Sequence, residues 1–156
     1  MNPRIIQLPE KKLIGMKSKM HHGQFGNIVA LWKRFMPNRI TIKNTVNNEF
    51  IALQEYSDFK NFDASFNIWA SVEVSDIELI PEGMHAFAIP EGTYAVFLQK
   101  GMDAGATYQG IMTEWLPSSG YAIDDRPHFQ VMGDKYKNGS EDSEEDFYVP
   151  IKSLNF

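Results

Sequence analysis

No cysteine occurs in the 156 residues. Disulfides and thiolate metal sites are therefore excluded, and nothing in the composition asks for an oxidising compartment. No apolar run approaches the roughly 20 residues needed to cross a bilayer. The opening segment MNPRIIQLPEKK lacks the continuous apolar stretch of a secretory signal. The expected location is cytoplasmic, with no membrane partner. Apolar residues make up 43% of the chain and charged residues 22%, as in an ordinary globular domain. The length suits a single domain spanning 1–156, or two very small halves that share a core.

A surplus of positive charge is also missing. The net charge is −5, which argues against general nucleic-acid binding, but it hides an asymmetry. Up to Asn44 there are nine Lys/Arg and one acid, Glu10; beyond it there are six Lys/Arg and nineteen Asp/Glu. Two parts of one fold that attract each other account for this. The alternative, a basic patch for an anionic partner, lacks the clustering of a DNA-reading helix. Direct nucleic-acid binding is not expected.

What the chain does contain is a repeat. Phe35-Met36-Pro37 and Trp115-Leu116-Pro117 align at an offset of 80, as do Tyr56 and Tyr136; Leu8-Pro9-Glu10 and Ile89-Pro90-Glu91 align at 81. The shared order predicts a duplication, repeat one over about 1–80 and repeat two over about 81–156.

Each repeat reads as strand, helix, strand, strand. In the first, residues 12–20 form a strand. Phe25, Ile28, Val29, Trp32, Phe35 and Met36 then recur at helical spacing up to Pro37. Strands over 50–56 and 67–74 follow. In the second, a strand over 93–99 precedes a helix that Asp103 caps, Tyr108, Ile111, Met112 and Trp115 line, and Pro117 closes. Strands over 128–132 and 147–152 follow, with a polar acidic loop at 138–145.

Four blocks in the second repeat carry a family likeness. They are Tyr94-Ala95-Val96-Phe97 before Gly101, then Trp115-Leu116-Pro117-Ser118-Ser119-Gly120-Tyr121, then Pro127-His128-Phe129-Gln130, and last Phe147-Tyr148-Val149-Pro150-Ile151-Lys152. In these the chain resembles the GyrI-like family, also described as the AraC-type effector-binding domain. The first half resembles the family's first repeat more loosely. The likeness implies an α+β fold of two pseudo-symmetric βαββ units forming one concave antiparallel sheet, with helices packed behind it. It also implies a hydrophobic central groove for drug-like, often cationic, molecules. Members of that family serve as the sensing half of transcription regulators, as stand-alone proteins and as a toxin antagonist, and a few resemble hydrolases of electrophiles. One departure stands out. A glutamate is common directly after the aromatic Phe129, where this chain has Gln130. An amide offers dipolar hydrogen bonds in place of a buried charge, which weakens both the cation-binding and the hydrolase readings.

Alternation puts His128, Gln130 and Met132 on one strand face, and the offset of 80 sets Phe50 and Ala52 opposite Gln130 and Met132. Trp32, Trp69, Tyr108, Met112, Trp115 and Tyr148 are the large side chains able to wall a pocket. Trp115 reads as core, and Tyr148 as either a ligand hydroxyl or a strand-edge cap. Asp146, with Glu145 beside it, is placed to supply the negative charge that Gln130 lacks, or else to lie in a solvated loop. The candidate ligand residues are thus Phe50, Trp69, Tyr108, Met112, His128, Gln130, Met132, Asp146 and Tyr148. His21-His22, His85 and His128 have no metal-binding spacing, and no nucleophile elbow or phosphate loop is present, so no metal, cofactor or catalytic residue is assigned.

The expected function is small-molecule sensing or sequestration, with a hydrophobic or planar ligand that Gln130 orients. A protein partner or a separate DNA-binding regulator completes this reading. The rivals are a hydrolase of reactive electrophiles using Asp146 or Glu145 as base, and an interaction protein acting on a macromolecule.

Overall fold

The structure is a computed structural model and describes residues 2–58, 61 and 63–154. Its strands are β1 (Arg4–Leu8), β2 (Lys11–Met20), β3 (Phe50–Tyr56), β4 (Phe66–Val74), β5 (His85–Ile89), β6 (Gly92–Lys100), β7 (Tyr121–Ile123), β8 (His128–Met132) and β9 (Glu144–Ser153). Helix α1 (Phe25–Phe35) follows β2; α2 (Ala104–Gly110) and α3 (Leu116–Ser119) follow β6. All strand pairings are antiparallel, in the order β1-β6-β9-β8-β3-β4-β2-β5, and β7 adds to β9.

The order reads the same from either end. β3 and β8 meet in the middle, β4 and β9 flank them, and β2 and β6 lie outside those. The outermost strands are exchanged. β1 precedes β2 in sequence but pairs with β6, whereas β5 precedes β6 but pairs with β2. The repeated Leu8-Pro9-Glu10 and Ile89-Pro90-Glu91 are the two corners at which the chain leaves one half's edge for the other half's strand. Proline suits a corner because it cannot donate to a ladder.

The expected α+β sheet is present, and most expected elements shift by only a residue or two. Three differences have physical causes. First, helical turns continue past both prolines, in segments of changed type. Pro37 lies at the start of a 3-10 segment, Met36–Thr41, whose first turn tolerates a missing N–H. Pro117 lies at the start of α3, after a widened π turn over Ile111–Trp115. That second helix begins at Asp103, whose carboxylate accepts from Ala106 N–H at 3.0 Å, and ends at Gly120 in the left-handed region with φ of 81°.

Second, the offset of 80 does not persist into the strands. Ala52↔Gln130 is the middle rung of the β3–β8 ladder, and Phe50 pairs with Met132. The symmetry axis therefore passes through the Ala52–Gln130 rung, so Ala52 and not Phe50 is the counterpart of Gln130, at an offset of 78 (130 − 52). The connection from Pro37 to β3 is two residues longer than that from Pro117 to β8, and a loop absorbs that difference at little cost.

Third, the helices stand on the groove side of the sheet and not behind it. Leu31 and Phe35 of α1 pack on Ile14, Met16, Ile68, Ala70 and Val72. Ala70 pairs with Ala52, so α1 covers the face that carries Ala52 and Gln130. Ile111, Met112 and Trp115 pack likewise on Phe97, Phe147 and Val149. Among the described residues, no helix takes part in the cluster that buries the opposite face. Leu8, Leu13, Leu53, Trp69, Ile89, Tyr94 and Phe129 come from seven different strands and form one cluster, so the sheet curls around them. Gly15 permits the tight β2–β4 contact, since a Cβ there would lie 2.1 Å from the Ala70 carbonyl oxygen.

Phe35 is fully buried, whereas Trp115 is half-buried, edge-on to Phe97 and stacked on Tyr121. Phe35→Ala should cost about 3–5 kcal/mol and Trp115→Ala about 2–3 kcal/mol, because the wider site can relax more. Urea denaturation of the two variants checks the order; equal losses would place Trp115 in the closed core.

Candidate functional site

Between the two helices, over the β3–β8 join, lies a cavity of about 860 Å³. That is the size of a drug-like ligand. One wall is α1, through Ile28, Val29, Trp32 and Met36; the other is α2, through Ala104 and Tyr108. Sheet residues Phe50, Ala52, Gln54, Gln130 and Met132 form the floor, with Phe147 and Glu145 of β9 at one side. Val29 is 54% exposed and Phe25, at the rim, 70%. The apolar face of α1 is thus too wide for the core alone and supplies the cavity with the remainder.

The floor holds a closed polar arrangement. Gln54 Nε2 donates to Gln130 Oε1 at 2.8 Å, and Gln130 Nε2 donates to Gln54 Oε1 at 2.9 Å. The second amide hydrogen of Gln130 goes to the Tyr108 hydroxyl oxygen at 3.1 Å. That leaves the Tyr108 O–H free to donate. Burial, reinforced by nearby Tyr56 and Glu145, holds the Tyr108 hydroxyl far above its ordinary range. Burial likewise raises Tyr56 to about 12 and pushes His128 down to about 3. His128 is on the same sheet face as Gln130 but is buried beside the cavity and does not line it, edge-on to Tyr56 at 5.4 Å and tilted against Tyr108 at 6.0 Å. At neutral pH the floor is therefore polar and uncharged.

Charge enters at the side. Glu145 lines the cavity on the face of β9 that also carries Phe147, and burial raises its carboxyl to about 7. Among the described residues it takes part in no ion pair. Sequence reasoning favoured its neighbour, and this is corrected. Asp146 faces the opposite side of the sheet, 3.7 Å from Arg4. Alternation along β9 separates the two carboxylates.

The other candidates divide as follows. Phe50, Tyr108, Gln130 and Met132 line the cavity. Trp69 borders it, but its indole belongs to the opposite cluster, against Phe87, with Nε1 donating to Glu55 at 3.2 Å. Met112 packs between helix and sheet in the second half's core. Tyr148 is also corrected: it lies on the far face, stacked on Phe129 at 4.5 Å. Gln54 was missed, although strand alternation from Phe50 and Ala52 points to it.

Comparison with known proteins follows from this geometry. The profile of a family described as the GyrI-like small molecule binding domain matches residues 1–152. The transcriptional regulator BrlR of Pseudomonas aeruginosa is 27% identical over 162 residues, which take in 97% of this chain and 56% of BrlR. The chain thus spans little more than half the length of that relative. Among solved structures, SAV2435 bound to tetraphenylphosphonium superposes with a TM-score of 0.72 at 18% identity, over 99% of this chain and 96% of that one. The C-terminal domain of EcmrR gives 0.74 at 14% identity, over 98% of each. A hydrolase from Listeria innocua gives 0.57 at 14%, over 96% of this chain and 91% of its own. At these identities the structural likenesses speak to the fold alone.

Because the folded state holds the Glu145 proton more tightly than an unfolded chain does, stability falls as pH rises from about 4.5 to about 7. Glu145→Gln removes that loss. The variant should gain about 1–2 kcal/mol over the parent at pH 8, the cavity's solvent screening part of the cost, and nothing at pH 4. Denaturation at the two pH values measures this; equal effects at both would mean the carboxyl is not desolvated.

Proposed function

The chain belongs to the GyrI-like family of small-molecule-binding domains, and on that premise we propose that it binds an apolar or planar small molecule in the cavity between α1 and α2. The observation that supports this reading is the cavity's lining: aromatic and aliphatic walls over a floor whose amides satisfy each other. A ligand laid on such a floor displaces water while the Gln54–Gln130 pair stays bonded, so most of the apolar burial is retained as affinity. Trp32, Phe50, Tyr108 and Phe147 offer ring faces and edges. The Tyr108 O–H, left over from the Gln130 bond, orients any acceptor the ligand carries.

In this reading the domain senses or sequesters its ligand in the cytoplasm. Sensing suits a role beside a DNA-binding regulator, because a ligand wedged between α1 and α2 bears on both halves of the sheet at once. The domain itself does not contact nucleic acid. The match to part of the transcriptional regulator BrlR supports this role. Tetraphenylphosphonium is a suitable first probe, since SAV2435 is described bound to it.

Ala52 projects from the middle rung into the cavity, so Ala52→Trp fills the site and leaves the core untouched. Tetraphenylphosphonium should quench Trp32 fluorescence in the parent protein. Ala52→Trp should weaken its binding at least tenfold, about 1.4 kcal/mol, with the circular dichroism spectrum unchanged. Calorimetric affinities that are equal for the two proteins would remove the cavity as the binding site.

A further inference from the structure

We propose that the cavity selects its ligand by length, taking an elongated molecule with a flat apolar group at each end. This rests on the reading of the cavity as a ligand site and adds to it the shape of what fills it. The floor strand sets the length. Phe50, Ala52, Gln54 and Tyr56 are alternate residues of β3, and all four line the cavity. At about 3.3 Å per residue, Phe50 and Tyr56 stand roughly 20 Å apart. The wall agrees with the floor. Phe25 and Met36 line the cavity from the two ends of α1, and at about 1.5 Å per residue that helix rises roughly 16 Å between them.

Each end carries its own ring cluster. At one end Trp32 stands edge-on to Phe50, with ring centres 6.1 Å apart. At the other, His22 lies 4.9 Å from Phe66, and Phe66 lies 4.8 Å from Tyr56. Between the ends the floor is the small Ala52 and the Gln54–Gln130 amide pair, with Tyr108 and Phe147 to the α2 side. The two walls are unequal. α1 presents Phe25, Ile28, Val29, Trp32 and Met36 along its whole length. α2 begins with Ala104 and Gly105, and a Cβ at Gly105 would meet only the Asp103 carboxylate, at 3.7 Å. Apolar contact is therefore continuous along α1 and interrupted across the site. A round ligand reaches one ring cluster and leaves the other in water. A rod laid along α1 reaches both, and each ring contact adds its own stabilisation while the amide pair stays bonded beneath the linker.

The test uses two neutral hydrocarbons of nearly equal size. All-trans diphenylhexatriene is a rod with a phenyl ring at each end, and triphenylmethane is round; stilbene serves as a short rod. Diphenylhexatriene fluorescence reports its own binding, and the other two are measured by displacing it. The parent should hold diphenylhexatriene about tenfold more tightly than triphenylmethane, a comparison that needs no variant. Phe50→Leu and Tyr56→Leu keep apolar volume and remove a ring at opposite ends. Each should weaken the long rod about threefold to tenfold, as loss of one aromatic contact does, and the two losses should multiply in the double variant. Stilbene, which spans one end at a time, should respond to at most one of the two substitutions. Selection by length is overturned if the parent binds tetraphenylphosphonium but not diphenylhexatriene, or binds triphenylmethane as tightly as the rod. It is overturned equally if the long rod responds to only one end. If Ala52→Trp still weakens tetraphenylphosphonium binding in those cases, the cavity stands as a ligand site without it. If Ala52→Trp leaves the affinity of every ligand unchanged, or the parent binds none of them, both readings fall together.

Discussion

Five antiparallel rungs join β3 to β8, and their register decides which side chains the cavity receives. Strand side chains alternate with a period of two. A slip of one residue would turn Gln54 and Gln130 into the opposite cluster and bring Leu53 and Phe129 up into the groove. That cluster, closed by strands from both halves, has no room for amides, and the exchanged strands β1 and β5 tie each half to the other's edge. Register, curl and exchange thus enforce one another. The cavity exists because α1 and α2 both pack outward from this join, each on its own half, and leave the join itself uncovered.

An uncovered floor in an apolar setting must still satisfy its polar atoms. A buried amide without partners costs about 1–3 kcal/mol, and two of them would favour collapse of the site or permanent water. Gln54 and Gln130 avoid this by bonding to each other across the join, with Tyr108 taking the second amide hydrogen of Gln130. Burial holds Tyr56 and His128 uncharged in the same region. The floor is therefore uncharged, and the carboxylate of the cavity lies at its side, on Glu145.

How much of this was readable in the sequence varies with the kind of signal. Helical spacing in α1 and alternation in β3 and β8 were clear because one face is apolar and the other is not. The run Ile68-Trp69-Ala70-Ser71-Val72 gave no such contrast, because β4 is buried on both faces, so the side taken by Trp69 was not legible. β1 and β5 are five residues long and pair only with the opposite half, a relation no local pattern carries. Glu145 was legible in principle: Phe147, Val149 and Ile151 are the buried alternates of β9, and extending them back by two reaches it. A strand read from 147, with a loop over 138–145, takes Glu145 out of the alternation and sets Asp146 at the strand's start, which favours Asp146. The offset of 80 was read from helix ends, and loops of unequal length stood between those ends and the strands that matter.

The place of the carboxylate has a consequence that its mere presence does not. A glutamate at position 130 would lie on the floor, 93% enclosed if it kept the burial of Gln130, within reach of the Gln54 amide and the Tyr108 hydroxyl. Both can donate to it and would stabilise the ionised form against the cost of burial, fixing a charge in the site over the physiological range. Glu145 has neither donor. It is only part-enclosed, so desolvation raises its carboxyl without carrying it far beyond neutrality. A floor carboxylate with two donors is a permanent charge, whereas a rim carboxylate without them is a proton-holding group. Gln at position 130 therefore differs from Glu by more than a charge. Gln130 instead forms the amide pair with Gln54, and the carboxylate of the cavity stands at the side on Glu145.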